Sequence, residues 1–327
     1  MESMGRRGFL QGAMAGAGLA ATAGSLSAAA DQDGKKKKKD GKHKGQRYQN
    51  GVSPFPLLMN TSTIRPATLL EKIDATAEAG YDGIELWIDD IEKYEKDGGD
   101  LKALGQQIKD KGLFVHNVIG LWNAVPPTQE LWDKQLPETR NRLRMMSAIG
   151  SKHAAAIPDS ELANIDLKWT AARYKDLLDI GRNDYNVIPG FEFVGFFKSI
   201  NRLGTASAIA IDANDPQAGL IADTFHLFRG GSGFNGVQML QGKFIYDFHW
   251  NDVPAGMKPE DCADEHRVFP GDGCLPLIPL LKDLIKIEFT GPLSLELFNR
   301  EHWKMDPKEV AKIGKDKMLA GIAEAGV

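Results

Sequence analysis

Thiols are scarce in this chain: Cys262 and Cys274 are its two cysteines in 327 residues. That excludes a disulfide scaffold as the source of its stability. A surplus of positive charge is missing from the main body. Beyond residue 47 acidic residues outnumber Lys and Arg by ten, although the whole chain stands at only −4. An acidic body argues against nucleic acid as a partner, because neutralising phosphates needs a basic surface. Histidine is also sparse: His116, His153, His226, His249, His266 and His302 are those of the body, too few for a histidine-rich multi-zinc centre. The longest weakly apolar stretch lies near the N-terminus and is too short and too rich in Gly and Ala for a stable spanning helix. What is present, 42% hydrophobic and 26% charged residues, is the composition of a soluble globular enzyme.

Residues 1–30 join Arg6-Arg7, Phe9-Leu10, an Ala/Gly run and the small residues Ala28-Ala29-Ala30. They resemble a bacterial twin-arginine signal peptide, cleaved near Ala30, which implies an exported, periplasmic protein with no stable membrane insertion after cleavage. Residues 31–52, with the run KKKKKDGKHK, have no apolar periodicity. They read as a disordered Lys-rich linker whose charge would also suit tethering to an anionic surface.

From Phe55 onward, short apolar runs alternate with amphipathic stretches, the pattern of an α/β fold with a parallel sheet. Strands are expected at 56–60, 83–87, 113–120, 153–158 and 189–196, then in AGLIADTFH, KFIYDFHWND and GPLSLELFN. Helices are expected at 66–79, opened by Pro66, and at 101–111, 137–149, 167–180, 202–211, 235–240 and 275–287, with a last one from Pro307. These form eight strand–helix units without room for a second domain, so 53–327 is expected to form one (β/α)8 TIM barrel.

Each of the last four strands carries one hard ligand near its C-terminal end: Glu192, Asp223, His249 and Glu296. A carboxylate inside an apolar run needs a cationic partner, and the mouth of a parallel barrel gathers strand ends. Two Glu, one Asp and one His suit one divalent ion: Mn²⁺ first, with Mg²⁺ or Co²⁺ as alternatives and Zn²⁺ less favoured. Singly, each has a plainer explanation. A barrel Glu can be salt-bridged, Asp223 can cap the next turn, and His249 can be a satisfied core histidine.

The segments FEFVGF, ADTFHLF, FHWND, Arg267 before PGDG, and GPLSLELFN followed by Trp303 and Asp306-Pro307 resemble the sugar phosphate isomerase/epimerase family of xylose isomerase-like barrels. The earlier half matches more loosely, through GYDGIELW. The resemblance implies Glu192, Asp223, His249 and Glu296 as metal ligands, and His226 and Arg267 as contacts to substrate oxygens. It further implies an isomerase or epimerase acting on a sugar or keto-sugar through an enediolate, with Glu192 and Glu296 doubling as the acid/base pair. For Arg267 a surface ion pair with Asp264 or Glu265 stands as the alternative. Glu85 and His116 are expected at the rim as further substrate contacts. In ketose 3-epimerases a glutamate usually follows the first ligand by six residues; here that position is Lys198, which would suit an anionic substrate group or simply point to solvent. Trp87, Trp122, Trp250 and Trp303 could offer apolar faces to sugar C–H groups, with core packing expected for at least half of them.

Two other functions compete. The same residues could run a dehydratase or lyase on an inosose or 3-keto-glycoside, or the barrel could bind a sugar without turnover. The partner in each case is a small carbohydrate. Homo-oligomerisation and a Cys262–Cys274 disulfide both stay open.

Overall fold

Eight apolar runs of three to nine residues become parallel strands in the computed structural model, which describes residues 46–327. The twin-arginine-like segment and residues 31–45 of the Lys-rich stretch lie outside the described residues. The strands are β1 (Leu57–Asn60), β2 (Gly83–Trp87), β3 (Phe114–Trp122), β4 (His153–Ile157), β5 (Ile188–Glu192), β6 (Leu220–Asp223), β7 (Ile245–Trp250) and β8 (Leu293–Leu295). Each pairs with its sequence neighbours, and β1 with β8, so the sheet closes into a barrel.

The outer layer contains α1 (Leu69–Ala79), α2 (Ile88–Lys96), α3 (Leu101–Asp110), α4 (Gln129–Ala148), α5 (Leu167–Tyr185), α6 (Leu203–Asp212), α7 (Thr224–Arg229), α8 (Leu277–Lys286) and α9 (Pro307–Ala325). Among the described residues no helix is long and apolar enough to cross a membrane. Leu, Ile, Val and Phe pack between this layer and the sheet as the main core. A smaller cluster of Ile119, Ala155, Ile157, Val194 and Ile221 packs as a separate group.

Several expected boundaries move. Pro66 does not open α1; Thr68 caps it, accepting from the Glu71 amide while Glu71 reaches back to Thr68, a reciprocal capping box. Pro137 lies inside α4, which starts eight residues earlier behind Thr128. Helix α2 was not expected; IDDIEKYEK is mostly charged and anchors itself through buried Ile88 and Ile91. The stretch 235–240 is a short 3-10 turn rather than an α-helix. Residues 46–52, assigned to the linker, fold onto the body: Tyr48 bridges Ser53, and the Gln49 amide donates to the Gly80 carbonyl.

Strand β5 ends at Glu192 instead of running to Phe196, which puts Glu192 at the strand's C-terminal residue. The chain then turns outward. A Cβ on Gly230 would lie 1.9 Å from the Asn201 carbonyl oxygen, and one on Gly195 would lie 2.7 Å from the Gly230 nitrogen. Glycine at both positions lets this loop lie backbone to backbone on α7. That contact sets Phe196 against His226, ring centres 5.5 Å apart.

Candidate metal centre

The four expected ligands converge at the C-terminal end of the barrel. Glu192 and Asp223 are the last residues of β5 and β6, His249 is next to last in β7, and Glu296 follows β8. Alternation along a strand puts residues two apart on one face, so Asp247 and His249, and Ser294 and Glu296, form inward-facing pairs. All four expected ligands are buried. His249 Nδ1 lies 3.1 Å from Glu296, 3.4 Å from Glu192 and 3.6 Å from Asp223.

The other ring nitrogen of His249 is fixed from below: Nε2 lies 3.0 Å from Glu85. Glu85 also accepts from Asn60 (2.7 Å), Asn117 (2.6 Å) and Ser294 (2.6 Å). Burial works against its charge, but His249, Ser294 and Asn117 outweigh it and hold the Glu85 carboxyl down to about 2. An ionised Glu85 keeps the His249 proton on Nε2 and presents Nδ1 to the ligand cluster, the role a supporting carboxylate plays behind a metal-bound imidazole. Glu85 is therefore an interior support beneath the cluster and not the rim residue expected. His116 is further still from the rim. It is the third residue of the nine-residue β3, and its Nε2 bonds the Tyr246 carbonyl at 2.8 Å on the floor of the barrel.

Asp223 does two things at once. Its Oδ1 caps α7, accepting from the Phe225 (2.6 Å) and His226 (3.2 Å) amides, while Oδ2 faces Arg267 and His249. The plainer explanation and the functional one thus hold together. His226 is carried on the first turn of α7, and burial pushes its imidazole down to about 4 although Asp223 opposes. It lines the pocket as a neutral ring with an unpartnered Nδ1.

Arg267 is 1% exposed, although a surface pair was the alternative. The long loop that carries it is gathered by Asp252, whose carboxylate accepts from the amides of Val253, Gly271, Gly273 and Leu275. The Arg267 guanidinium is sandwiched between Phe225 and Phe298, 4.5 and 5.0 Å from their ring centres. Nη1 reaches Asp223 (2.6 Å) and Glu296 (2.9 Å), Nη2 reaches Asp264 (2.7 Å) and His226 (3.3 Å), and Nε reaches Asp264 (3.1 Å). A guanidinium has five N–H donors, and all five are engaged within the protein. Arg267 holds the carboxylates of Asp223, Glu296 and Asp264 in place in this structure. Of the two alternatives for Lys198, the structure shows the one that points to solvent. Beyond Phe196 the chain has left the barrel, and Lys198 is exposed and paired with Glu161 outside the pocket.

Sequence reasoning missed Asn60, Asn117 and Ser294 as supports, although each is a polar residue interrupting an apolar run. It noted Asp264 only as a surface partner; Asp264 lines the pocket. That pocket, about 190 Å³, is otherwise walled by Trp87, Trp122, Phe196, Phe197, Phe298 and aliphatic residues. Trp250 is core, and Trp303 donates its Nε1 to the Ser62 carbonyl. Cys262 and Cys274 are both free thiols.

The cluster suits a cation. Glu85, Glu192, Asp223 and Glu296 converge on one guanidinium and one imidazole, and Glu192 Oε2 and His249 Nδ1 are buried without a hydrogen-bond partner. Burial pushes Glu296 up to about 7 against the pull of His249 and Arg267, and it raises Glu192 as well. Burial raises Asp223 too, but Arg267, His226 and His249 outweigh it and hold the carboxyl well below its ordinary range. Raised carboxyl values mark a shortage of positive charge, which a divalent ion held by three carboxylates and Nδ1 would remove. Asp223, His249 and Glu296 can offer ligand atoms within 4.8 Å of one another, as can Glu192, Asp223 and His226.

The model of the xylose isomerase-like TIM barrel family matches residues 73–319. An inosose isomerase of Bacillus velezensis is 25% identical over 273 residues, covering 80% of this chain and 95% of that protein. A 3-dehydroshikimate dehydratase of Pseudomonas putida is 24% identical over 71% of this chain, which spans 36% of that longer protein. Among solved structures, the IolI protein with a bound zinc atom superposes with a TM-score of 0.75 at 24% identity, covering 83% of this chain and 99% of that one; at that identity the likeness is one of fold.

Proposed function

Because the chain belongs to the xylose isomerase-like TIM barrel family, we propose that it is a divalent-metal-dependent isomerase or epimerase of a sugar or keto-sugar, working through an enediolate. The observation that carries this reading is the convergence of Glu192, Asp223 and Glu296 on His249 Nδ1 at 3.1 to 3.6 Å, with Glu85 fixing the opposite nitrogen. Mn²⁺ suits this oxygen-rich set, and Mg²⁺, Co²⁺ and Zn²⁺ are the alternatives. A divalent ion held there would supply Lewis-acid stabilisation of negative charge developing on substrate oxygens.

The chain's own residues account for the proton transfers. Glu192 and Glu296 stand on β5 and just after β8, separated around the barrel by β6 and β7. They reach the centre from different directions, which suits removing a proton beside a carbonyl and returning it on another face. Neutral His226 offers Nδ1 to a substrate hydroxyl or carbonyl. Arg267 keeps Asp223 and Glu296 in place, and the aromatic walls exclude water.

The test is deuterium exchange. The full chain, loaded with Mn²⁺, is incubated in D₂O with ketoses, inososes and 3-keto-glycosides and followed by NMR. Deuterium entering a carbon beside a carbonyl, together with an isomer, is expected. A metal-loaded protein that gives neither exchange nor product would leave a non-catalytic sugar-binding barrel as the better account. The likeness to 3-dehydroshikimate dehydratases favours one second reading, expulsion of a leaving group from the same enediolate; an enone product would mark it. On residues 1–30 we further propose periplasmic export, which recovery of uncleaved chain in the cytoplasmic fraction would contradict.

A further inference from the structure

The pocket above the metal centre is short of free charge and of hydrogen-bonding groups, and that shortage identifies a substrate class. Its charged lining residues are Glu192, Asp264, Glu296 and Arg267. All donors of Arg267 are engaged by Asp223, Glu296, Asp264 and His226, and both faces of its plane are covered by Phe225 and Phe298. Two cationic side chains outside the pocket, Lys198 and Arg65, are committed elsewhere. Lys198 pairs with Glu161, and Arg65 lies over the Trp87 ring at 4.5 Å and pairs with Asp89 at 3.7 Å; neither lines the pocket. Away from the metal position, a carboxylate or phosphate on the substrate would meet Asp264 and the aromatic wall with no unengaged cationic side chain, an arrangement that selects against it.

The remaining wall is apolar. Trp87 and Trp122 stand 5.7 Å apart, and the Trp87 Nε1 is engaged by Asn60. Ile119, Ile157 and Val194 continue the surface, and Phe196, 42% exposed, forms the rim beside Phe197. A sugar with hydroxyls on every side would leave several of them unpaired against this wall, each at a cost. At about 190 Å³ the pocket is also smaller than a site for a drug-sized ligand, so a larger substrate must extend past Phe196.

We propose that the site takes an uncharged carbohydrate or cyclitol ring bearing an apolar substituent, with the ring's oxygens at the metal centre, its C–H face on Trp87 and Trp122, and the substituent against Phe196 and Phe197. This rests on the isomerase or epimerase reading for what happens to the ring, but the selectivity is read from binding alone. Calorimetry on the full Mn²⁺-loaded chain would use four probes: methyl β-D-glucopyranoside, phenyl β-D-glucopyranoside, phenyl β-D-glucuronide and glucose 6-phosphate. The phenyl glucoside should bind at least about ten-fold tighter than the methyl glucoside. It should also bind at least about ten-fold tighter than the glucuronide, whose carboxylate finds no partner. Phe196→Ala, a change at the exposed rim, should lower the ratio of phenyl to methyl glucoside affinity; Trp122→Ala should weaken both neutral probes and leave that ratio in place. Equal binding of methyl and phenyl glucosides, tighter binding of either anion, or no binding of any probe would overturn the proposal. Absent deuterium exchange alongside the expected selectivity would sink the isomerase reading alone.

Discussion

At the mouth of the barrel His249 bonds Glu85 through one nitrogen and turns the other toward three carboxylates, while at the floor His116 and His153 lie 4.8 Å apart, with Tyr246 stacked on His153 at 4.4 Å. Burial disfavours charge on all three rings. At the mouth the carboxylates Glu296 and Glu85 overcome it and raise His249 well above its ordinary range. At the floor burial outweighs the Tyr246 carbonyl and the more distant Glu85 and pushes His116 down to about 4, and it pushes His153 down to about 3. The same residue type is thus ringed by carboxylates at one end and an uncharged packing group at the other. Neighbouring carboxylates, and not burial, separate the two ends.

Changes at the mouth should therefore abolish chemistry and spare the fold, with changes at the floor doing the reverse. The largest effect is expected from Glu296→Gln, which keeps shape but removes a proton carrier. Exchange into the substrate should fall on the order of 10³-fold, with circular dichroism unchanged. Glu85→Gln comes next: it touches no substrate, yet it should weaken metal binding by roughly 10- to 100-fold, read by titration with Mn²⁺.

The floor answers to pH. For His116 and His153 the folded values lie below the unfolded value of about 6.5, so the unfolded chain takes up protons first as pH falls. Their contribution is complete above about pH 6.5 and is lost toward about 4 and then 3. Each ring costs roughly 1.4 kcal/mol per pH unit in that window. The pH dependence of Tm should be shallower in His116→Asn; an unchanged slope would deny the floor its part in acid lability. The smallest effect is expected from Tyr246→Phe, which removes the hydroxyl bonded to the Gln217 carbonyl. It should cost about 1 kcal/mol, a drop of about 2 °C in Tm, and leave exchange untouched.

The sequence displays the mouth better than its supports for a physical reason. A ligand at a strand end interrupts an apolar run and stands beside turn residues, so Glu192, Asp223, His249 and Glu296 are visible one at a time. Glu85 and Asn117 interrupt such runs too, but whether a polar side chain faces the mouth or the buried interior depends on register. The β2–β3 pairing shifts between Ile84 and Leu86, which no local pattern displays. Lys198 misleads because counting six residues from Glu192 assumes a chain path, and the chain leaves the barrel after that ligand. Arg267 was found by type and position, yet its engagement by three carboxylates comes from loops far apart in sequence, held by Asp252. Helix α2 was hidden by its charge.

Metal binding by the full chain, with Asp223→Asn as the comparison, tests the central claim most directly. Asparagine keeps the oxygen that caps α7 and removes the charge that faces His249 and Arg267. Calorimetry with Mn²⁺ and elemental analysis should find one ion per parent chain. In the folded variant, binding should be weakened beyond the roughly 10- to 100-fold expected from losing a supporting residue. A parent that holds no divalent ion, or a variant that binds as tightly as the parent, would contradict the account.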